Sequence, residues 1–246
     1  MKIQEKSLFH EKKTDMRILG IDTSAGVASC AVCETGENPK VLASGYINTR
    51  LNHSQTLVPL MENMLKSAEI DIESIDALAV SNGPGSFTGL RIGVSAIKGI
   101  AFAANKPCIA VSSLEAMAYN CQLHNGVVCA VMDARCNQVY NALFKADNGN
   151  IQRICEDRAL FIPELAEELK GCGEEILLVG DGADLTYKTI NGEKIRLAPP
   201  PLKYQNAVSV CFAAENGREI SAKELMPSYL RLPQAERERL AKINKQ

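Results

Sequence analysis

The sequence predicts an α/β protein in which two mixed sheets, each covered by helices, follow one another along the chain. An apolar strand at 75–80 enters a glycine-rich loop, which opens a long apolar helix at 86–104. The second half repeats the outline of the first: a strand that ends in an aspartate turn, two more strands, a helix, a strand and a glycine loop. The repetition lies in the order of the elements, because no residue-level repeat is visible.

Composition limits the function classes. The 246 residues can bury a sizeable core as one or two domains, and a formal net charge of −2 gives no basic field for nucleic acid. The chain has no tryptophan and few aromatics, which argues against a base-stacking surface. Cys30 and Cys33 form a CxxC whose side chains would point to opposite faces of a strand, so we expect core cysteines in a reducing cytosol.

We divide the chain into four parts. Residues 1–15 are polar and charged without periodicity, and we interpret them as a disordered extension, a tag remnant or an upstream start before Met16. Two subdomains are expected at 16–122 and 123–231, with the last helix packing back on the first, and 232–246 form a charged tail. No segment has the length and apolarity of a membrane span, so we expect a cytoplasmic protein without membrane contact.

Three strands open the first half, and the short turns between them indicate an antiparallel meander. A helix with a wide apolar stripe follows, and a later helix starts with the spacing of a capping box. The predicted elements are strands at 18–21, 27–33 and 41–47, a helix at 52–68, a strand at 75–80, a helix at 86–104, a strand at 108–111 and a helix at 112–121.

The second half begins with a strand that ends in Asp133, and its later part is interrupted by three consecutive prolines that predict a stiff break. The predicted elements are strands at 127–132, 139–144 and 151–155, a helix at 163–169, a strand at 176–179, the break at 199–201 and a helix at 206–216.

The turn Asp22-Thr23-Ser24 follows the first strand. Its carboxylate and hydroxyls would suit a phosphate or a metal-bound water. The alternative is ordinary turn chemistry, in which these side chains hydrogen-bond their own backbone. Spacing alone favours the second interpretation.

The loop at 83–86 reads Gly-Pro-Gly-Ser, and Ser86 is the expected N-cap of the helix behind it. With Gly89 it gives GxGxxxG rather than the dinucleotide pattern GxGxxG. A phosphate-binding P-loop would need Gly-Lys-Ser/Thr where this chain has Gly89-Leu90-Arg91. We therefore favour a tight turn that lets the helix lie close to its strand.

His53 is the one histidine near a predicted site. A second metal ligand one helical turn on would be residue 57, which is Leu57, so no metal site is expected. The sequence also offers no nucleophile–base pair for a hydrolase.

Three stretches resemble the TsaB (YeaZ) family, the accessory subunits of the bacterial tRNA threonylcarbamoyladenosine machinery. They are 18–31 with its Asp-Thr-Ser turn, 81–93 with Ser-Asn-Gly-Pro-Gly-Ser-Phe-Thr-Gly-Leu-Arg-Ile-Gly, and 227–231 with Pro-Ser-Tyr-Leu-Arg. Asp-Ala-Arg at 133–135 and Val-Tyr at 139–140 also match. The resemblance covers about residues 16–235, and its middle motif is highly specific.

The resemblance implies a duplicated actin-like, Hsp70-like and sugar-kinase-like (RNase H-like) fold and a function without catalysis. The chain would be a scaffold that TsaD, a catalytic paralogue, needs to transfer threonylcarbamoyl to the adenosine beside the anticodon of tRNAs that read ANN codons. TsaE, an ATPase, would be a further partner, a second copy would replace TsaD when TsaD is absent, and tRNA would be contacted mainly through TsaD. TsaD binds its metal through HxxxH, of which this sequence keeps only His53.

The resemblance also implies site residues. Nucleotide-binding positions would be Asp22, Thr23, Ser24 and Asp133, although the second phosphate loop is replaced by Asp-Ala-Arg-Cys-Asn at 133–137, without glycine. No cofactor is required, and ATP or ADP could sit near the partner interface. That interface would use two apolar helices, so a charge at Met61 or Met64 should separate the chains and leave the fold intact. Its expected residues are Leu57, Leu60, Met61, Met64, Phe87, Leu90, Gly93, Ala96 and Ile100.

Two other functions stay open at this point. One is a small-molecule kinase of the actin fold that uses Asp22 and Asp133, against which the missing second glycine loop argues. The other is a homodimeric nucleotide-binding module.

Overall fold

The computed structural model describes residues 15–49, 51–190 and 192–231. The interpretations of 1–14 and of the charged tail at 232–246 therefore lie outside the described residues.

The first sheet has six strands in the order β12-β5-β4-β1-β2-β3. Their bounds are β1 (Arg17–Asp22), β2 (Ala28–Glu34), β3 (Lys40–Ile47), β4 (Ala77–Gly83), β5 (Cys108–Ser112) and β12 (Glu219–Ile220). The first three strands form the antiparallel meander that the short turns predict, and β4 and β5 extend the sheet in parallel to β1.

The second sheet has the order β11-β10-β6-β7-β8, and β9 pairs with β7 beside it. Its strands are β6 (Gly126–Asp133), β7 (Gln138–Asp147), β8 (Asn150–Arg153), β9 (Arg158–Phe161), β10 (Ile176–Val179) and β11 (Ile195–Leu197). Here too an antiparallel meander is extended by two parallel strands, β10 and β11. The two sheets therefore share one topology, which confirms the predicted duplication and the α/β class.

Helices cover both sheets. They are α1 (His53–Ser67), α2 (Phe87–Ala104), α3 (Ser113–Tyr119), α4 (Ile162–Lys170), α5 (Ala183–Ile190), α6 (Pro200–Lys203) and α7 (Ala207–Ala214). The Ser86 hydroxyl caps α2 by accepting a hydrogen bond from the Gly89 N–H at 3.3 Å, as predicted. Ser112 caps α3 in the same way through the Glu115 N–H at 3.2 Å.

Several short elements differ from the sequence predictions. Strand β4 begins at Ala77 rather than at residue 75, because a 3₁₀ turn at Ile72–Ser74 precedes it. The strands β9, β11 and β12 and the helix α5 were not predicted. The proline run does not break the structure but opens α6, since proline suits the first helical position, where no N–H donor is needed.

Two helices lie on the sheet of the other half. Val210 and Cys211 of α7 pack against Ile18 and Ala31 of the first sheet. Conversely, the apolar residues of α3, among them Met117, pack against the second sheet. Each sheet is thus completed by a helix that belongs to the sequence of the other half.

Cys30 and Cys33 confirm the predicted alternation. Cys30 belongs to the core beneath α1, whereas Cys33 packs with Cys211 on the opposite face of the sheet. Burial raises the pKa of the Cys30 thiol to about 11, so it behaves as a small apolar side chain.

By length and composition alone, α2 could cross a membrane, so the expectation that no segment meets those two criteria is wrong. Core helices of soluble proteins meet them as well. One stripe of α2, including Leu90, Val94 and Ile97, is buried against the first sheet. Packing within this chain therefore explains why α2 carries so many apolar residues.

Candidate functional site

A cleft of about 460 Å³ lies between the two halves, where β1, β4, β6 and β10 end. Its walls are the turn at 24–26, the glycine loop at 84–87, the end of β6 at 132–135 and a C-terminal segment at 228–231, with Tyr140 and Asp181. Parallel α/β sheets commonly bind ligands at this edge. The two predicted aspartate turns also lie here, because β1 ends at Asp22 and β6 ends at Asp133.

Asp22 lies under the wall of this cleft and is completely buried. Its Oδ1 accepts hydrogen bonds from the Ser24 N–H at 2.8 Å and from the Ser24 hydroxyl at 2.7 Å, and its Oδ2 accepts one from the Ser81 hydroxyl. Burial raises the pKa of the Asp22 carboxyl, and the bonds from Ser81 and Ser24 oppose that rise.

Thr23 is also buried, and its hydroxyl donates a hydrogen bond to the Gly89 carbonyl oxygen at 2.8 Å. The expectation that Asp22 and Thr23 contact a nucleotide is therefore revised, because both side chains use their polar atoms to hold the loop and α2. Ser24 does line the cleft, but its hydroxyl is committed to Asp22.

The glycine loop packs directly on this turn. The Ser86 N–H donates to the Ser24 carbonyl at 2.7 Å, and a Cβ on Gly85 or Gly89 would collide with the carbonyls of Ser24 and Thr23. These glycines are needed for a close approach of backbone to backbone. The structure confirms the tight-turn interpretation of the loop.

The second half repeats this arrangement with a different outcome. Asp133 ends β6 as Asp22 ends β1, and its Oδ1 accepts a hydrogen bond from the Arg135 N–H at 2.8 Å. The loop after β10 packs on β6, since a Cβ on Gly180 would collide with the Val131 carbonyl. Unlike Asp22, however, the acidic residues of the second half, Asp133 and Asp181, both line the cleft.

Asp181 is exposed on the side that faces the cleft, while the protein on its other side displaces water from the carboxylate. This partial desolvation raises the pKa of Asp181 to about 6, and the negative charge of Asp133 adds to the rise. Sequence reasoning missed Asp181. The signal that could have found it is the Gly-Asp-Gly at 180–182, at the end of the strand that repeats β4.

The turn at the tip of β6 and β7 stands where the resemblance implies the second phosphate loop. Arg135, Cys136 and Asn137 all have left-handed backbone, with φ of 66°, 54° and 58°. Three consecutive non-glycine residues in this conformation are unusual, and such strain persists only where surrounding contacts impose it. Arg135 pairs with Asp133 at 3.4 Å.

His53 and Leu57 do not form a metal site. The His53 Nε2 lies 2.6 Å from the Ala25 carbonyl oxygen, and Leu57 is buried in the core. Among residues 15–49, 51–190 and 192–231, no group of three or more His, Cys, Asp and Glu side chains could hold a metal ion.

Comparison with known proteins decides the family. The family model described as "TsaD: tRNA N6-adenosine threonylcarbamoyltransferase" matches residues 47–237. The tRNA threonylcarbamoyladenosine biosynthesis protein TsaB of Bacillus subtilis is 30% identical over 224 residues, which cover 90% of this chain and 96% of that protein. The chain belongs to the TsaB family. TsaB of Escherichia coli is 36% identical over 170 residues, or 68% of this chain and 72% of that protein.

The fold agrees with this assignment. YeaZ from Pseudomonas aeruginosa is 26% identical, covers 87% of this chain and 100% of its own, and superimposes with a TM-score of 0.73. With the shared topology of the two sheets, this is the duplicated actin-like fold that the resemblance to TsaB implies.

The structure divides the interface residues expected from the TsaB resemblance into two groups. Five are buried in the chain's own core and are not available to a partner: Leu57, Met61, Met64, Leu90 and Gly93. Four are half-buried: Leu60, Phe87, Ala96 and Ile100. The expectation that a charge at Met61 or Met64 leaves the fold intact is therefore wrong, because both side chains pack against the first sheet.

Proposed function

We propose that this chain is the non-catalytic, cytoplasmic accessory subunit of a tRNA threonylcarbamoyladenosine synthesis assembly. It binds the transferase TsaD and holds it in an active shape for transfer of threonylcarbamoyl to the adenosine beside the anticodon of tRNAs that read ANN codons. TsaE, an ATPase, is a further partner. In the absence of TsaD the same face pairs two copies of this chain, and tRNA is held mainly by TsaD.

The observation that carries the proposal is the pair His53 and Leu57. TsaD holds its metal with two histidines one helical turn apart, whereas here the second position is a leucine with 1% exposure. A leucine offers no lone pair to a metal, and His53 already contacts a backbone carbonyl. These facts support a function that depends on shape and contact rather than on chemistry at this chain.

The hydrogen bonds of Asp22 and Thr23 within the first half support the same conclusion. An actin-fold kinase would aim its first acid and hydroxyl at the phosphates and metal of ATP, but Asp22 and Thr23 bond the chain itself. We therefore assign ATP or ADP, where the assembly uses it, to the neighbourhood of the partner interface rather than to this turn.

The partner face that we propose is the exposed side of α1 and α2. Val58 is 51% exposed and Phe102 is 87% exposed, while Ser95 and Gly99 are exposed between them. Nothing lies within 4 Å of the position that a Cβ on Gly99 would take, so the fold of this chain does not require glycine there. A small residue on an exposed apolar face lets a partner helix approach closely.

The first experiment measures incorporation of labelled threonine into unmodified tRNA by TsaD, TsaE and the enzyme that makes threonylcarbamoyl-adenylate. Incorporation is expected only when this chain is present, while the chain alone hydrolyses no ATP. Equal incorporation without the chain would contradict the scaffold function. Metal-dependent ATP hydrolysis by the chain alone would favour the kinase, and a homodimer that added TsaD does not disturb would favour the nucleotide-binding module.

A second experiment tests the face itself. Gly99→Arg places a large cation on the proposed contact, and Gly173→Arg does the same at another exposed glycine with open space around it. Both variants should fold, because neither position is confined. Only Gly99→Arg should abolish co-purification with TsaD and threonine incorporation. If Gly99→Arg binds TsaD as the parent does, the face is misplaced.

A further inference from the structure

A C-terminal segment crosses the mouth of the cleft. It starts at Leu225, which is fully buried in the core beneath α2, and we call residues 226–231 the strap. Four of its residues, 228–231, form one wall of the cleft. The strap is thus anchored in the first half at one end and passes between the two halves.

Hydrogen bonds hold the strap to the first half. The Ser228 N–H donates to the Asn82 carbonyl at 2.7 Å, and the Asn82 amide donates back to the Met226 carbonyl at 3.1 Å. Lys98 of α2 donates to the Leu225 carbonyl at 3.0 Å. This pairing of backbone with the end of β4 fixes the course of the strap.

A stack of side chains holds the middle of the strap. The ring of Tyr229 stacks on Phe87 with centroids 4.6 Å apart, and the Arg91 guanidinium lies 3.9 Å from the Phe87 centroid. The Arg91 Nε also donates to the Tyr229 hydroxyl at 3.1 Å. A cation and an aromatic pair in this arrangement attract through the electrostatics of the rings.

Gly83 is shaped for the strap. Its φ is +141°, and a Cβ there would collide with the Ser228 carbonyl oxygen. The strap can therefore pack against the first glycine of the loop only because that residue has no side chain.

The far end of the strap reaches the second half. Arg231 donates from Nη1 to the Ala134 carbonyl oxygen at 2.9 Å. Ala134 begins the turn with three left-handed residues, and its N–H is bonded to the Gln138 carbonyl at 3.0 Å. The strained turn thereby presents a backbone carbonyl to the strap.

We propose that the strap is a clasp that fixes the two halves at one separation. Proteins built from two halves around a cleft commonly open and close by a hinge. Here, opening would have to break the bond between Arg231 and Ala134 or pull Tyr229 off Phe87. The clasp gives one explanation for three features: the positive φ of Gly83, the stack of Tyr229 on Phe87 and the strained turn at 135–137. A clasp of this kind does not depend on the function proposed above.

The experiment measures the distance between the halves by double electron–electron resonance. Spin labels are attached to Lys40→Cys on β3 and Lys188→Cys on α5, two exposed positions on opposite halves and outside the proposed partner face. The labelled protein is diluted with unlabelled protein, so that only distances within one chain are measured. The cysteines with solvent access are replaced by serine: Cys136, Cys155 and Cys172. The parent should give one narrow distance distribution.

The test variant is Arg231→Ala, and the matched control is Arg135→Ala. Arg231 belongs to no core cluster, so its removal leaves the cores intact, and Arg135 lies on the same turn but does not bond the strap. Arg231→Ala should broaden the distribution and add a longer distance on the order of 10% of the molecules. Tyr229→Ala should broaden it as well.

Two results would overturn the clasp. One is a distribution for Arg231→Ala and Tyr229→Ala as narrow as that of the parent. The other is equal broadening by the control Arg135→Ala, since the turn rather than the strap would then set the separation.

Discussion

Gly20 of β1 lies directly beneath Cys211 of α7. A Cβ on Gly20 would be 2.6 Å from the Cys211 sulfur and 2.9 Å from the Ala207 carbonyl oxygen. Helix α7 can therefore approach the first sheet only because residue 20 has no side chain. This one contact joins the start of the described chain to an element almost two hundred residues later.

Gly20→Ala should destabilise the protein by about 1–3 kcal/mol, because the added methyl group has to displace α7 in a closely packed core. The measurement is urea unfolding followed by circular dichroism. Gly26→Ala is the matched control, since nothing lies within 4 Å of a Cβ there, and it should change the free energy of unfolding by less than about 0.5 kcal/mol. Equal effects of the two substitutions would contradict the close contact.

Met61→Lys should reduce the free energy of unfolding by about 2–5 kcal/mol, because Met61 is 7% exposed and packs in the first core. Leu123→Lys, at a position that is 94% exposed and outside the proposed partner face, should change it by less than about 0.5 kcal/mol. Thermal and urea unfolding of the two variants measure the difference. A Met61→Lys variant as stable as Leu123→Lys would show that α1 does not lie on the sheet through Met61.

Asp133→Asn should lower the pKa of Asp181, because the Asp133 charge is one cause of its rise to about 6. Titration of the Asp181 carboxyl carbon by NMR measures the change. Asp184→Asn removes the same charge from an exposed position where Asp184 pairs with Lys203, and it should leave the Asp181 pKa unchanged. An unchanged pKa in Asp133→Asn would exclude repulsion between the two acids.

The pH dependence of stability should report the buried Asp22. Its folded-state pKa is raised above the ordinary 3.8, so its contribution to stability is present below that value and is lost as pH rises through the folded pKa. Asp22→Asn should therefore gain stability relative to the parent as the pH rises above about 3.8. Ser81→Ala removes a hydrogen bond that favours the ionised form, so it should raise the pKa of Asp22 further and extend the loss of stability to higher pH. If the stability of the parent instead rises relative to that of Asp22→Asn as the pH increases, the pKa of Asp22 is not raised by folding.

Sequence patterns predicted the duplicated order of strands and helices, because strand alternation, the cap at Ser86 and the glycine loop are local signals. They also gave the correct interpretation of the loop, although the atoms that require Gly85 and Gly89 belong to a turn some sixty residues earlier. The strand β12 escaped prediction because two residues carry no periodicity and depend on the edge of β5 for their partner.

The candidate site was harder to predict. A sequence shows that Asp22 and Thr23 are polar, but not that their hydrogen bonds are satisfied by Ser81 and Gly89 across the sheet. Likewise, the stripe of α1 that contains Met61 looks the same whether it faces a partner or the chain's own sheet. Only the tertiary arrangement distinguishes the two, and it leaves Val58 and Gly99 exposed while it buries Met61 and Met64.

The exchange of α3 and α7 between the two sheets has a consequence for folding cooperativity. Without α7, Ile18 and Ala31 would face water, and without α3 the second sheet would lose the cover that Met117 helps to provide. Neither half can bury both faces of its sheet from its own stretch of sequence, so the free energy of each half depends on the presence of the other. We therefore expect the chain to unfold as one unit although it is built as a tandem duplication, and we expect a break near residue 123 to leave two fragments that reach the native state only together.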